Sequence, residues 1–346
     1  MNTVRPIAAL LRSFARTVAC TGLLLAALHL SGCSTEPIEP SPYANIIDVP
    51  PGFPEQQFPA DNVPNEDRIL LGKVLFYSPL MSHDSDVACV NCHYPGASFT
   101  GQQTISPGTQ GRLGTRNSPS LANVGYKPHF LMEGGVPTLE MQALVPVSEH
   151  SEFGMNVLDV IDRFKNNQVI QSLSMKAYAR PFDAYVLTRA IASFERTFVS
   201  GRARVDRQQL SASELRGKEL FFSNKTSCSS CHGGFLYTTH GFANNGAYAS
   251  YADMGRAKLT GNQADKAVFA IPSLRNVGVT APYMHDGRME TLAQVIEHYN
   301  RGGFDHPNKS PLIRPLGLSA QEQRDLEGFL HALTDEAFIY NPRFMR

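Results

Sequence analysis

The chain has 346 residues, enough for two domains of about 150 residues each. Its 31 basic and 31 acidic residues cancel and no basic run breaks the balance, so neither the global field nor a local patch points to nucleic acid. With 42% hydrophobic and 18% charged residues, the composition is ordinary for a globular protein.

The first 32 residues read as a signal peptide. Arg5, Arg12 and Arg16 precede an apolar stretch from Val18 to Leu30, which is too short for a membrane span and suits export. The stretch ends in Leu30-Ser31-Gly32-Cys33, which resembles the lipobox of bacterial lipoproteins. That resemblance implies cleavage before Cys33, a lipid on its thiol, and a periplasmic protein that meets the membrane only through the anchor. Ser34 suits the outer membrane. A cleaved signal without lipid is the alternative. Residues 33–65 carry eight prolines, Pro37 to Pro64, which forbid helix and favour an extended Pro-rich tether. Folded sequence is expected from Glu66.

Six cysteines are present. Cys20 leaves with the signal and Cys33 takes the lipid, so four remain, as Cys89-Val-Asn-Cys92-His93 and Cys228-Ser-Ser-Cys231-His232. Two redox disulfides would need only the Cys pairs, and a zinc site could use all four thiolates. Covalent haem c needs two thiols for the vinyl groups and a His directly after them for the iron. With 11 His in the chain, one following both pairs by chance has odds of roughly one in a thousand, and neither rival has a use for it. Two covalently bound haem c groups are the reading.

The motifs sit in two copies of one unit. Gly72-Lys-Val-Leu-Phe-Tyr-Ser78 precedes the first and Gly217-Lys-Glu-Leu-Phe-Phe-Ser223 the second. Pro119 to Leu139 aligns without a gap on Pro272 to Leu292, with 9 of 21 positions identical. The chain is therefore expected to hold an N-terminal haem domain over 66–205 and a C-terminal one over 206–346, related by internal duplication. Leu187, Ala190, Ile191, Phe194 and Phe198 predict a helix within Asp183 to Ser200, stopped at Gly201. Ser319 and Glu322 form a capping box before Leu326, Phe329, Leu330 and Leu333. Alternating strand patterns are scarce. The expected fold is all-α, as two cytochrome c-like haem domains with long loops.

Two haem motifs about 140 residues apart, followed by Arg275-Asn276 and Ala281-Pro-Tyr-Met-His-Asp-Gly287, resemble the bacterial di-haem cytochrome c peroxidase and MauG family, over about Glu66 to Asp335. The resemblance implies that the first haem reacts with hydrogen peroxide and the second receives electrons from a small c-type cytochrome or copper protein. His93 and His232 would be the proximal ligands. The family's distal acid matches Glu152 in Ser151-Glu152-Phe153-Gly154. A peroxide must lose a proton from one oxygen and gain one on the other before its bond breaks, and one carboxylate can do both. Glu149 is the other candidate, with a surface role as its simpler reading. Members place Met or Tyr nineteen residues after a Thr-x-Pro threonine. Counting from Thr280, that position is Tyr299, so Tyr299 is the expected further ligand of the second haem, with Met284 or Met289 as alternatives. Tyrosinate lowers a haem potential and Met raises it. His298 should point elsewhere. One calcium ion is implied between the haems, on the Asn117 side chain and the Thr280 and Pro282 carbonyls, oxygen donors suited to that cation.

Two departures from the family pattern matter. Many members carry a loop His that blocks the first iron until the second haem is reduced, but no His lies between His93 and His129. An open first site is expected, with His129 structural. The chain also has no Trp, and Met132 stands where the family places one between the haems. Another route, through Tyr126 or Tyr283, is expected. The leading reading is a peroxidase. The alternatives are a MauG-like oxidant of a partner protein, favoured by Tyr299 and the missing loop His and weakened by the missing Trp, and a non-catalytic di-haem electron carrier. Relatives are often dimers, so a homodimer is compatible with the resemblance.

Overall fold

A computed structural model describes residues 46–346. The signal peptide and Cys33 lie outside the described residues. The α-helices in chain order are α1 (Glu66–Phe76), α2 (Cys89–Cys92), α3 (Leu139–Gln142), α4 (Leu144–Ser148), α5 (Val157–Phe164), α6 (Gln168–Tyr178), α7 (Ala184–Glu195), α8 (Ala212–Phe222), α9 (Ala257–Thr260), α10 (Leu292–Arg301), α11 (Ala320–His331) and α12 (Glu336–Ile339). Two strands of two residues, β1 (Phe242–Ala243) and β2 (Phe269–Ala270), pair antiparallel. The described chain is otherwise helices, short 3₁₀ turns and loops, so the all-α expectation holds at the level of a largely helical fold.

Helices start where a side chain satisfies their free N–H groups. Asn65 caps α1 and Asp183 caps α7. Ser211 with Glu214, and Ser319 with Glu322, form capping boxes on α8 and α11. The predicted run to Ser200 stops five residues early. After Glu195, the Thr197 hydroxyl donates to the Phe194 carbonyl at 2.6 Å and the Asn123 N–H takes the Phe198 carbonyl at 2.6 Å, so local and tertiary bonds replace the helical ladder.

α1 crosses α7, and α8 crosses α11. Both crossings need glycine. A β-carbon at Gly72 would lie 1.9 Å from the Ala190 carbonyl oxygen, and one at Gly217 would lie 1.9 Å from that of Asp325. After each crossing an asparagine with left-handed backbone ties off the second helix. Asn123 (φ 60°) exchanges side-chain bonds with Ser200, and Asn276 (φ 63°) accepts from the Asp335 N–H at 2.8 Å.

The described residues belong to one compact unit, and the boundary near residue 205 is heavily crossed. Phe338, Ile339 and Phe344 at the C-terminal end are buried with Phe76, Phe99 and Phe198 of the first half. Phe99 and Phe198 stack at 3.8 Å. Each buried Phe contributes about 1.5–3 kcal/mol. Arg116 pairs with Asp253 at 2.7 Å, and Asp335 accepts the N–H groups of Gly201 and Arg202 at 2.9 and 2.8 Å.

The start of the body also differs from the expectation. Residues 46–65 contain no helix, as their prolines require, but they are packed down rather than loose. Asn62 is fully buried and donates to Glu140 at 2.8 Å, Gln56 donates to the Arg196 carbonyl at 2.9 Å, and Phe53 lies edge-on to Tyr126 and Phe235. Proline forbids the helical ladder but not side-chain burial, so the folded body begins before Glu66.

Candidate functional site

The first Cys-x-x-Cys-His motif lines a partly open cavity. Cys89 and Cys92 begin and end α2, and His93 follows directly. The His93 Nδ1–H donates to the Phe99 carbonyl at 2.9 Å, which leaves Nε2 as the free lone pair for a metal. Phe99 reaches that position through left-handed backbone at Ser98 and Phe99, both at φ 57°. Burial lowers the His93 pKa, favouring the neutral imidazole a ligand needs. It also pushes the Cys92 thiol up to about 11 and the Cys89 thiol further still.

Glu152, on the turn after α4, lines the same cavity. Its side chain is reachable by solvent through the open space, yet the surrounding protein pushes its pKa up to about 6, with the Glu149 charge a second cause. The histidine-free loop from Thr100 to Asn117 holds this turn: the Thr109 N–H donates to the Glu152 carbonyl at 2.8 Å, and Gly108 lies against the same backbone. Glu149 does not line the cavity. Its carboxylate accepts from Ser151 Oγ at 3.1 Å, which fits the surface role. His93 is the sole His in the lining. His129 stacks on Phe242 at 4.6 Å, in keeping with a structural part.

Two lining residues were missed by sequence reasoning, Gln142 at the end of α3 and Glu195 at the end of α7. Glu195 is 4% exposed, its Oε2 has no hydrogen-bond partner, and burial pushes its pKa up to about 8 against the opposing pull of Arg196. Arg196 is taken by Glu140, at 2.6 Å.

The second motif repeats the His geometry. His232 Nδ1 faces the carbonyls of Tyr237 and Pro272, each at 3.2 Å, and burial lowers its pKa to about 4. Tyr237 is left-handed (φ 52°), as Phe99 is. Tyr299, on α10, lies near Cys228 and Cys231, and burial pushes its phenol up to about 12. The Asn245 amide donates to its Oη at 3.4 Å and to Met284 Sδ at 3.1 Å. His298 donates from Nε2 to the Asn245 carbonyl at 3.0 Å. All four Cys of the motifs are free thiols. Among the described residues no three His, Cys, Asp or Glu side chains gather as a metal cluster.

A sequence profile of di-haem cytochrome c peroxidases matches residues 66–214. The chain is 32% identical to the methylamine utilization protein MauG of Methylorubrum extorquens, over 80% of this chain and 81% of that one. It is 33% identical to the cytochrome-c peroxidase IdrP1 of Pseudomonas sp. strain SCT, over 82% and 84%. The chain belongs to the di-haem cytochrome c peroxidase and MauG family. Among solved structures, a MauG-like protein associated with microbial copper homeostasis superposes with a TM-score of 0.82 at 32% identity, covering 86% of this chain and 97% of that one.

As a member of this family the protein is an oxidoreductase of the di-haem peroxidase type, and the family implies two c-type haems. The residues fit such groups. Each motif offers two free thiols and a His whose Nε2 is unclaimed, and the first borders a cavity that Glu195, with its unpartnered Oε2, also lines. Of the residues implied for calcium, Asn117 donates its backbone N–H to the His285 carbonyl at 2.8 Å. Its Nδ2 donates to the Gln103 and Thr104 carbonyls at 3.1 Å each, leaving Oδ1 as the free end. Of the candidate electron routes, Tyr283 donates to the Val277 carbonyl at 2.9 Å, and Tyr126 lies edge-on to Phe235, three residues past His232, at 5.4 Å.

Proposed function

We propose that this protein reduces hydrogen peroxide to water at the haem held by Cys89, Cys92 and His93. Electrons come from a small periplasmic c-type cytochrome or copper protein and enter at the haem held by Cys228, Cys231 and His232. The observation that carries the reading is Glu152, which shares one cavity with the first motif and has a pKa raised to about 6. When bound, haem supplies an iron that takes up peroxide and exchanges electrons with it. Glu152 then takes the proton from one peroxide oxygen and returns it to the other, and a pKa near the working pH suits both transfers. His93, fixed through Phe99, presents Nε2 from one side. Gln142 and Glu195 add polar groups to an otherwise largely apolar wall.

The site assignments belong to the same proposal: Tyr299 as the further ligand of the second haem, a calcium ion on Asn117, Thr280 and Pro282, and a periplasmic chain anchored through Cys33. Two duplicated haem domains, 66–205 and 206–346, are supported by the repeated Gly72 and Gly217 crossings and by the matched Asn123 and Asn276 ties.

The test is stopped-flow mixing with peroxide, with and without prior reduction, followed by steady turnover with a reduced small cytochrome. Glu152→Gln is expected to slow the peroxide reaction by roughly 10² to 10⁴. An unchanged rate removes Glu152 from the chemistry. A second reading, oxidation of a partner protein, is favoured by Tyr299 beside the second motif. Slow turnover with the cytochrome, together with rapid peroxide-driven modification of a co-purified protein, would select it.

A further inference from the structure

Met284 and Tyr299, two of the side chains that compete in the sequence for the iron of the second haem, share one hydrogen-bond donor. The amide nitrogen of Asn245 lies 3.1 Å from Met284 Sδ and 3.4 Å from Tyr299 Oη. Asn245 is itself held on two other sides. Its Oδ1 accepts from the Ala247 N–H at 3.1 Å, which turns the nitrogen, and not the oxygen, toward the two side chains. Its backbone carbonyl accepts from His298 Nε2 at 3.0 Å, and His298 is the neighbour of Tyr299 on α10. Met284 is constrained as well. Its backbone is left-handed (φ 76°), uncommon for a residue other than glycine, and the adjacent Tyr283 pairs with Met289 through both backbone groups.

We propose that Asn245 is a positioning residue that selects the ligand of the second haem, tethering the Met284 thioether while directing the Tyr299 oxygen toward the iron. The proposal rests on the reading of Tyr299 as that ligand. A carboxamide NH₂ has two hydrogens, and here each has one acceptor. Methionine is unbranched and has three rotatable side-chain bonds, so a thioether released from its tether can sample the neighbouring space. A tyrosine oxygen gives the iron a low potential and a thioether a higher one. One amide therefore sets whether the electron-accepting haem is a weak or a strong oxidant.

The experiment uses the purified holoprotein and reads the absorption spectrum and reduction potential of the second haem. Asn245→Ala is expected to raise the potential and to bring in a thioether-to-iron charge-transfer band. Adding Met284→Leu to it should abolish both changes, since the competing ligand is then gone. If Asn245→Ala does not fold, Asn245→Asp reads the same quantities, because it keeps the acceptor for the Ala247 N–H and lacks the donor. Tyr299→Phe separates the two ways of failing. If it changes the spectrum while both Asn245 variants match the wild type, the clamp is overturned and the ligand reading stands. If it leaves the spectrum unchanged, the ligand reading falls and the clamp with it.

Discussion

Gly108 packs directly on the backbone of Glu152: a β-carbon at position 108 would lie 2.7 Å from the Glu152 α-carbon and 2.5 Å from its carbonyl oxygen. With the Thr109 N–H on that same carbonyl, the loop after the first motif fixes where the carboxylate stands. Misplacing a catalytic group by about 1 Å can cost 10²-fold in rate. Gly108→Ala should therefore slow the peroxide reaction by roughly 10- to 100-fold at unchanged haem content. Gly114→Ala, whose added carbon would meet only Ser151 Oγ at 3.5 Å, should leave it intact. Equal rates in the two variants would show that this contact does not position Glu152.

The raised pKa of Glu152 predicts a pH profile. The carboxylate must be ionised to accept the first proton, so the rate should rise with pH and level off above about 6. Glu152→Gln should flatten that limb as well as lower the rate. A limb that persists in the variant would assign the titration to another group.

The ion pair of Arg196 and Glu140 is buried, at 6% and 8% side-chain exposure, and incompletely satisfied, with Arg196 Nε and Glu140 Oε2 unpartnered. Breaking it from one side leaves a charge stranded in the interior. Arg196→Leu is predicted to cost about 3–5 kcal/mol in chemical denaturation, and the double change with Glu140→Leu distinctly less. A double variant as unstable as the single one would contradict this.

Glu195 links stability to pH. Its carboxyl is raised from an ordinary 4.5 to about 8 in the folded chain, burial outweighing Arg196. The native state therefore holds this proton more tightly than the unfolded chain does. The contribution is complete below about 4.5 and is lost as pH rises through about 8. Glu195→Gln should remove that slope and leave the protein about 1–3 kcal/mol more stable at pH above 8, since no buried carboxylate then goes unpaired. Denaturation midpoints with the same pH dependence in both proteins would refute it.

Much of the site is legible in contiguous residues. Cys89, Cys92 and His93 stand together, as do Cys228, Cys231 and His232, and covalent haem c attachment would need two thiols and a His that close along the chain. Ser319 and Glu322 announce α11 because a capping box closes within one turn. Gln142 and Glu195 carry no such mark. They come from separate helices, and nothing in their neighbours distinguishes a residue that lines a cavity from one on an outer face. Residues 46–65 mislead for the opposite reason: their prolines report the backbone truthfully and say nothing of Asn62 and Gln56, whose partners lie more than seventy residues away.

The amino-acid sequence by itself determined the two Cys-x-x-Cys-His motifs, the capping box that starts α11 and the doubled Gly-Lys-x-Leu-Phe segments, all patterns that close within a few residues. Only the tertiary structure decided that Glu152 shares the cavity of the first motif while Glu149 does not, that Phe338 and Phe344 complete the aromatic core of the first half, and that Asn245 joins Met284 to Tyr299. Those arrangements depend on packing between segments distant along the chain, where which side chains meet is settled by burial and by satisfying polar groups rather than by local spacing.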